Sequence, residues 1–160
     1  MERNINNQSD QARAVEYLLD SLVMQGNKQL TEKLTQYSLT VAQYLSMEAL
    51  QGKGAECSMS ELAERIQQSS ATMTGIVDRL VEKAWVTRRR SDEDRRAVYV
   101  SLTPDGGNLL KRVAQERRHA AQETIHKMNP VDVDNFIQLL RSYMQAAGYQ
   151  THSLGDDPTA

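Results

Sequence analysis

Apolar residues near the start of the chain recur at helical spacing: Ala14, Leu18 and Leu22 lie four apart, with Val15, Leu19 and Val23 beside them. A stripe of that period predicts a long helix from near Asp10 into the mid-thirties. The pattern then breaks into shorter pieces. Thr40 can cap a helix through Tyr44 to Leu50, and Gly52 and Gly54 end it. Ser58-Met59-Ser60-Glu61 has the spacing of a capping box and predicts a short helix from Glu61 to Ile66. After a turn at Gln67 and Gln68, Ser69 or Ser70 starts a further helix to about Lys83. Trp85 to Arg90 reads as a strand, Ser91 to Asp94 as a charged turn, and Ala97 to Leu102 as the returning strand of a hairpin. Thr103 and Pro104 open a helix that runs to about Met128. Asn129-Pro130 breaks it, and a last helix spans about Val131 to Ala147. Its apolar positions Val133, Phe136, Ile137, Leu140 and Met144 form one stripe.

Two helices joined by a short turn and followed by a hairpin make a winged helix-turn-helix. The expected fold is mainly α with a small β-hairpin wing, the reading head being flanked by N- and C-terminal helices. The expected organisation is a polar tail at 1–9, an N-terminal helix at 10–38, the winged helix-turn-helix at 39–103, C-terminal helices at 104–147 and a flexible tail at 148–160.

The second helix of the reading head has two faces at 100° per residue. Met73, Ile76, Val77 and Leu80 share one side, which must be buried. Ala71, Thr74, Gly75 and Asp78 point the opposite way, flanked by Thr72 and Arg79. A small, polar outward face suits a helix that enters the major groove. Threonine can reach base edges or phosphate, and alanine can touch a thymine methyl. The same pattern also fits a plain amphipathic surface helix, and the wing tips the balance. Arg95 and Arg96 stand on the return of the hairpin beside Asp94, where an arginine can reach into a minor groove and an aspartate can fix its aim.

Charge supports this locally and not globally. The whole chain carries 19 Lys and Arg against 21 Asp and Glu, a net charge of −2. Residues 79–96 alone hold seven cations, Arg79, Lys83, Arg88, Arg89, Arg90, Arg95 and Arg96, against four anions. That is a local +3 on a chain whose remainder is at −5, and such a patch can bind phosphate on an acidic protein.

Composition narrows the function classes. Aromatic residues are 5% of the chain, too few for a surface that stacks single-stranded bases. The longest apolar runs are far short of a membrane span, and the polar start from Met1 to Asp10 gives no expectation of a secretory signal. One cysteine, Cys57, makes no disulfide framework and no multi-cysteine zinc site, and a reducing cytoplasm is the expected setting. A glycine-rich phosphate loop, a Cys–His pair and a nucleophile elbow are all missing, so no catalysis and no cofactor are expected.

Several blocks resemble the MarR family (multiple antibiotic resistance regulators): Glu61-Leu62-Ala63, Ser70 to Thr74, Val77 to Lys83, Asp92 to Arg96, and Val100 to Gly106. The D-x-D-R-R and L-T-x-x-G blocks carry most of the specificity. The resemblance implies a homodimer whose N- and C-terminal helices interlock, with each protomer presenting one winged helix to a pseudo-palindromic operator in double-stranded DNA. It implies a repressor released by a small aromatic or phenolic effector bound between the dimerisation helices and the reading head. It places Ser70, Thr72 and Thr74 on phosphate or bases, with Ser69, Ala71 and Gly75 on the same surface. It makes Arg96 the wing-tip arginine oriented by Asp94, and Arg88, Arg90 and Arg95 are expected to bind DNA beside it. Arg79 either holds the fold or touches DNA. Two positions depart from the family. Gly75 replaces an arginine or similar large polar residue, which removes a base reader. Ala84 stands where glycine is usual before the wing, and is strained if that position needs a positive φ. Trp85 is expected to pack under the wing.

Other readings compete. Cys57 could sense oxidants, although Glu56 beside it disfavours the thiolate, and the family's sensing cysteines lie in the N-terminal helix, which here has none. His119 and His126 share a helical face with Glu123 and could bind a metal, or form a solvated face. Tyr17, Met24, Tyr37 and Met47 could line a pocket or be ordinary core. A winged helix that binds protein instead of DNA is the remaining alternative, and such domains usually lose the basic wing.

Overall fold

The computed structural model describes residues 8–51, 56–91 and 97–149. Gly52, Gly54 and the wing-tip residues Asp94, Arg95 and Arg96 lie outside the described residues, as does most of each expected tail. The elements in order are α1 (Gln8–Thr35), α2 (Val41–Gln51), β1 (Cys57–Ser58), α3 (Met59–Arg65), α4 (Ser70–Glu82), β2 (Val86–Arg90), β3 (Val98–Leu102), α5 (Pro104–Ile125) and α6 (Pro130–Ala146). This is the mainly helical winged helix-turn-helix that the pattern of apolar positions predicts.

The chain divides into two units, Met1–Tyr44 and Leu45–Ala160, and the division falls within α2. The first unit holds the long helix α1. Its turn at 36–39 is closed by Leu39 N–H donating to the Leu34 carbonyl at 3.0 Å, and Leu34 and Leu39 are buried. Thr40 starts α2 through a reciprocal cap. Its hydroxyl accepts from Gln43 N–H at 3.2 Å, and Gln43 Oε1 accepts from Thr40 N–H at 3.0 Å.

The second unit holds the reading head. Its core comes from every element except α6: Met47 and Leu50 of α2, Leu62 of α3, Met73, Val77 and Leu80 of α4, Val86 and Val100 of the hairpin, and Leu109, Leu110 and Val113 of α5. The capping box read from sequence is present. Ser58 Oγ accepts from Glu61 N–H, and Glu61 Oε2 accepts from Ser58 N–H at 2.9 Å. The box caps a helix that begins at Met59, two residues earlier than expected. Between the candidates for the next start, Ser69 is the N-cap of α4 and Ser70 its first residue.

The wing is a three-stranded antiparallel sheet in the order β1-β3-β2. The hairpin pairs Val86 with Leu102 and Arg90 with Val98, as expected. Strand β1 has no signal in the sequence, because two residues cannot show alternation. It exists because Cys57 and Ser58 lie beside Val100 and Tyr99 in the fold.

The L-T-x-x-G block has a structural reason. Thr103 Oγ1 accepts from Gly106 N–H at 3.0 Å, which caps α5, and donates to the Ala84 carbonyl at 2.8 Å. A single hydroxyl therefore ties the start of α5 to the turn that ends α4. A Cβ on Gly106 would lie 2.1 Å from the Trp85 carbonyl oxygen, so only glycine lets α5 sit this close. Asn129, which breaks the preceding helix, also caps α6, its Oδ1 accepting from Val131 N–H at 3.0 Å.

Helix α6 buries none of its residues, and Phe136, Leu139 and Tyr143 are well exposed. Among the described residues no helix is long and apolar enough to cross a membrane.

Candidate nucleic-acid interface

The faces of α4 fall where the periodicity puts them. Met73, Val77 and Leu80 are buried and Ile76 only half-buried, while Ser69, Ser70, Ala71, Thr72, Thr74, Gly75 and Arg79 are exposed and Asp78 is half-buried. Burial of the first set fixes the helix against the core and turns the second set outward. Gly75 has open space around the position of a Cβ. Packing therefore does not demand glycine there, and a larger residue would project into solvent.

The hydroxyls along this face are organised before any ligand arrives. Ser69 Oγ accepts from Thr72 N–H at 3.1 Å and lies 2.8 Å from Thr72 Oγ1. Only one of those two hydroxyls donates to the other, so one O–H is left for an outside acceptor. Thr74 Oγ1 donates to the Ser70 carbonyl at 2.9 Å, which leaves its lone pairs to accept. Ser69, Ser70 and Thr72 stand at the N-terminal end of α4, where free backbone N–H groups favour an anion.

The arginines of the patch are not equivalent. Arg88 Nη1 donates to Asp78 Oδ1 of α4. Arg89 grips Glu56 with both Nε and Nη2, each at 2.6 Å, and lies over the Tyr99 ring at 5.2 Å. Lys83 Nζ sits 4.8 Å from the centre of the Trp85 ring, and Trp85 is half-buried at the base of the wing. Arg79 and Arg90 are exposed and form no ion pair among the described residues. Seven cations in sequence thus become two unpaired ones in the described structure, with Arg95 and Arg96 outside it.

Strand alternation explains this sorting. Val86, Arg88 and Arg90 share one side of β2, and Thr87 and Arg89 the other. The Val86 side faces the core, so Arg88 meets α4. Arg89 reaches across β3 to Glu56, just ahead of β1. The Glu56 carboxyl is held below its ordinary 4.5 chiefly by the hydrogen bonds from Arg89, helped by that cation's charge and opposed by partial desolvation.

A groove of about 520 Å³ runs between the start of α4 and the wing, lined among others by Ser58, Ser70, Thr74, Arg88 and Tyr99. Elsewhere, Cys57 is buried, with Sγ 3.7 Å from Glu61 Oε2. His119 lies 3.9 Å from Glu123, and both are exposed. Among the described residues no group of three or more His, Cys, Asp or Glu is placed to hold a metal ion. Tyr17 and Met24 are exposed on α1, and Met47 is core.

Comparison with known proteins bears on the same residues. A model of the MarR family matches residues 37–97. An organic hydroperoxide resistance transcriptional regulator of Bacillus subtilis (strain 168) is 33% identical over 98 residues, 61% of this chain and 65% of that protein. The transcriptional repressor MprA of Escherichia coli (strain K12) is 28% identical over 85 residues, 53% of this chain and 48% of that protein. The chain thus spans about half to two thirds of the length of these curated relatives. Among solved structures, wild-type MarR of Escherichia coli in its apo form superposes with a TM-score of 0.70 at 25% identity, covering 81% of this chain and 95% of that one.

Proposed function

This chain carries the winged helix-turn-helix of the MarR family, and from that premise we propose that it regulates transcription by binding double-stranded DNA as a homodimer. The observation that carries the reading is the outward face of α4. Its exposed hydroxyls are pre-set by their own caps, and the exposed cations Arg79 and Arg90 flank it. Helix α4 enters the major groove. Ser69, Ser70 and Thr72 meet phosphate, while Ala71 and Thr74 meet base edges. Gly75 contributes no side chain, so direct readout at that point is weak. Resemblance to the family, and not the described residues, supports assigning Arg95 and Arg96 to a minor groove, with Asp94 as the partner of Arg96.

The partner helices come from a second copy. Apolar residues exposed on α1 and on α6 would stay in water in a lone chain, and patches of this kind mark interfaces. Two reading heads about 34 Å apart then address successive turns of a pseudo-palindrome. Repression, relieved by a small aromatic effector that favours a differently spaced dimer, completes the mechanism. MprA is named a transcriptional repressor, in keeping with this sign of regulation. Burial of Cys57 restricts access to its thiol and gives no support to oxidation as the releasing signal.

The test is fluorescence anisotropy with duplex DNA from upstream of the chain's own gene, titrated at several salt concentrations. Tight binding with a log–log salt slope of about −0.9 for each phosphate neutralised is expected. Absence of binding at low salt by folded, dimeric protein would reject the proposal in favour of a winged helix that binds protein.

A further inference from the structure

The outward side of α4 carries a carboxylate. Asp78 follows Thr74 by one helical turn and precedes Arg79, and a bare anion there would repel an approaching phosphate. It is not bare, because Arg88 of β2 donates to it. The side chains of Arg88 and Asp78 keep 49% and 44% of their surface exposed. An ion pair this wet is screened by solvent and adds little to folding stability. Its consequence is electrostatic. It removes one cation and one anion from the field that a duplex meets, on the surface where Arg79 and Arg90 stay uncommitted.

Arg88 also has somewhere else to go. It lines the groove beside the first turn of α4, together with the hydroxyl residues Ser58, Ser60, Ser70 and Thr74. A guanidinium released from Asp78 can turn along that groove towards the end of α4 at which anions are favoured. The interface therefore holds arginines of two kinds, and for Arg88 what separates it from Arg79 and Arg90 is one carboxylate, that of Asp78.

The geometry points to Asp78 as a positioning residue that holds Arg88 back from the DNA backbone and so sets how many phosphates each reading head neutralises. This rests on the DNA-binding reading above. Asp78 touches neither base nor phosphate. It acts through Arg88 and weakens the grip on any duplex, whatever its sequence, because sequence-independent affinity follows the number of phosphates neutralised.

Salt slopes of DNA binding test this where affinity alone would not, since a structural defect lowers affinity without adding a phosphate contact. Wild type, Asp78→Asn and the double variant Asp78→Asn/Arg88→Gln are compared on one duplex, with Asp78→Ser as a second way to remove the charge should asparagine disturb packing. Asp78→Asn is expected to steepen the slope by about 0.9 for each protomer bound, and the double variant to return it to the wild-type value. Three results would overturn the proposal. An unchanged slope in both single variants shows that Arg88 is not held back. A double variant shallower than wild type shows that Arg88 already contacts phosphate. A double variant as steep as Asp78→Asn shows that the gain comes from the lost carboxylate and not from Arg88. If wild-type protein binds no duplex at any salt, the DNA-binding reading itself fails, and the proposal falls with it.

Discussion

Among the described residues, four helix ends close in the same way, and three of them do so without glycine. After α1, α3, α4 and α6 the residues Ser38, Gln67, Ala84 and Gly148 take φ of 54°, 53°, 57° and 77°. Each next residue donates its N–H back to a carbonyl five positions earlier, as Trp85 does to Leu80 at 3.0 Å. Alanine has no side-chain hydrogen bond with which to offset the crowding of its Cβ in this conformation. Ala84→Gly is therefore expected to stabilise the protein by about 1 kcal/mol, read as a rise in melting temperature. Gly106→Ala should act in the opposite direction. Its Cβ would meet the Trp85 carbonyl, a backbone atom pinned by Thr103, and overpacking of this sort costs roughly 1–3 kcal/mol or more. Equal melting temperatures for either variant and wild type would refute the corresponding account. The strain at Ala84 was legible from sequence, through comparison with a family pattern that has glycine there. The role of Gly106 was not, because its neighbour Trp85 is distant along the chain and meets it only after folding.

At the scale of elements, the wing differs most from its sequence reading. The hairpin follows from alternation and a charged turn. The third strand and the fate of the arginines do not, since Arg89 finds Glu56 across 33 residues. No local rule couples such distant positions. The pairing has a pH signature. Because the carboxyl of Glu56 is held below its ordinary 4.5 in the folded state, its contribution is fully present above that pH and is lost as pH falls through the lowered value. Wild type is thus expected to melt higher than Glu56→Gln at pH 7, with the gap closing as pH falls below 4.5. Melting curves followed from pH 7 into acid decide the point, and a gap that does not change with pH would show that the ion pair contributes nothing. The same pair anchors the segment just before β1 to the wing, so the variant should also speed hydrogen exchange at Cys57 and Ser58.

At the scale of the whole molecule, amphipathic helices keep apolar residues exposed among the described residues. Helix α6 has an apolar stripe five residues long and not one buried residue, whereas the stripe of α4 is buried as such a pattern requires. On α1, Leu18, Leu22 and Val23 are likewise exposed. In the proposed dimer, a second copy supplies the missing cover. Phe136→Glu/Leu140→Glu is expected to convert dimer to monomer in light scattering after size exclusion, and to lower DNA affinity with it. The reading head should keep its near-native helical signal, because neither residue contributes to its core. A variant that stayed dimeric would show that α6 is not the interface.

Whatever depends on neighbours close along the chain can be read from the order of residues. Apolar spacing set the helices and the buried face of α4, caps such as Ser58 and Thr103 set helix starts, and alternation set the hairpin. Those effects act within a turn or two of helix or across one tight loop, so a linear pattern records them. Which charges are neutralised emerges only in three dimensions. Asp78 takes Arg88, and Glu56 takes Arg89, whereas Arg79 and Arg90 keep no such partner among the described residues. Coulomb attraction and hydrogen bonding act through space. A count of cations along a chain therefore measures how much positive charge a surface starts with, and the fold decides how much of it is left to meet DNA.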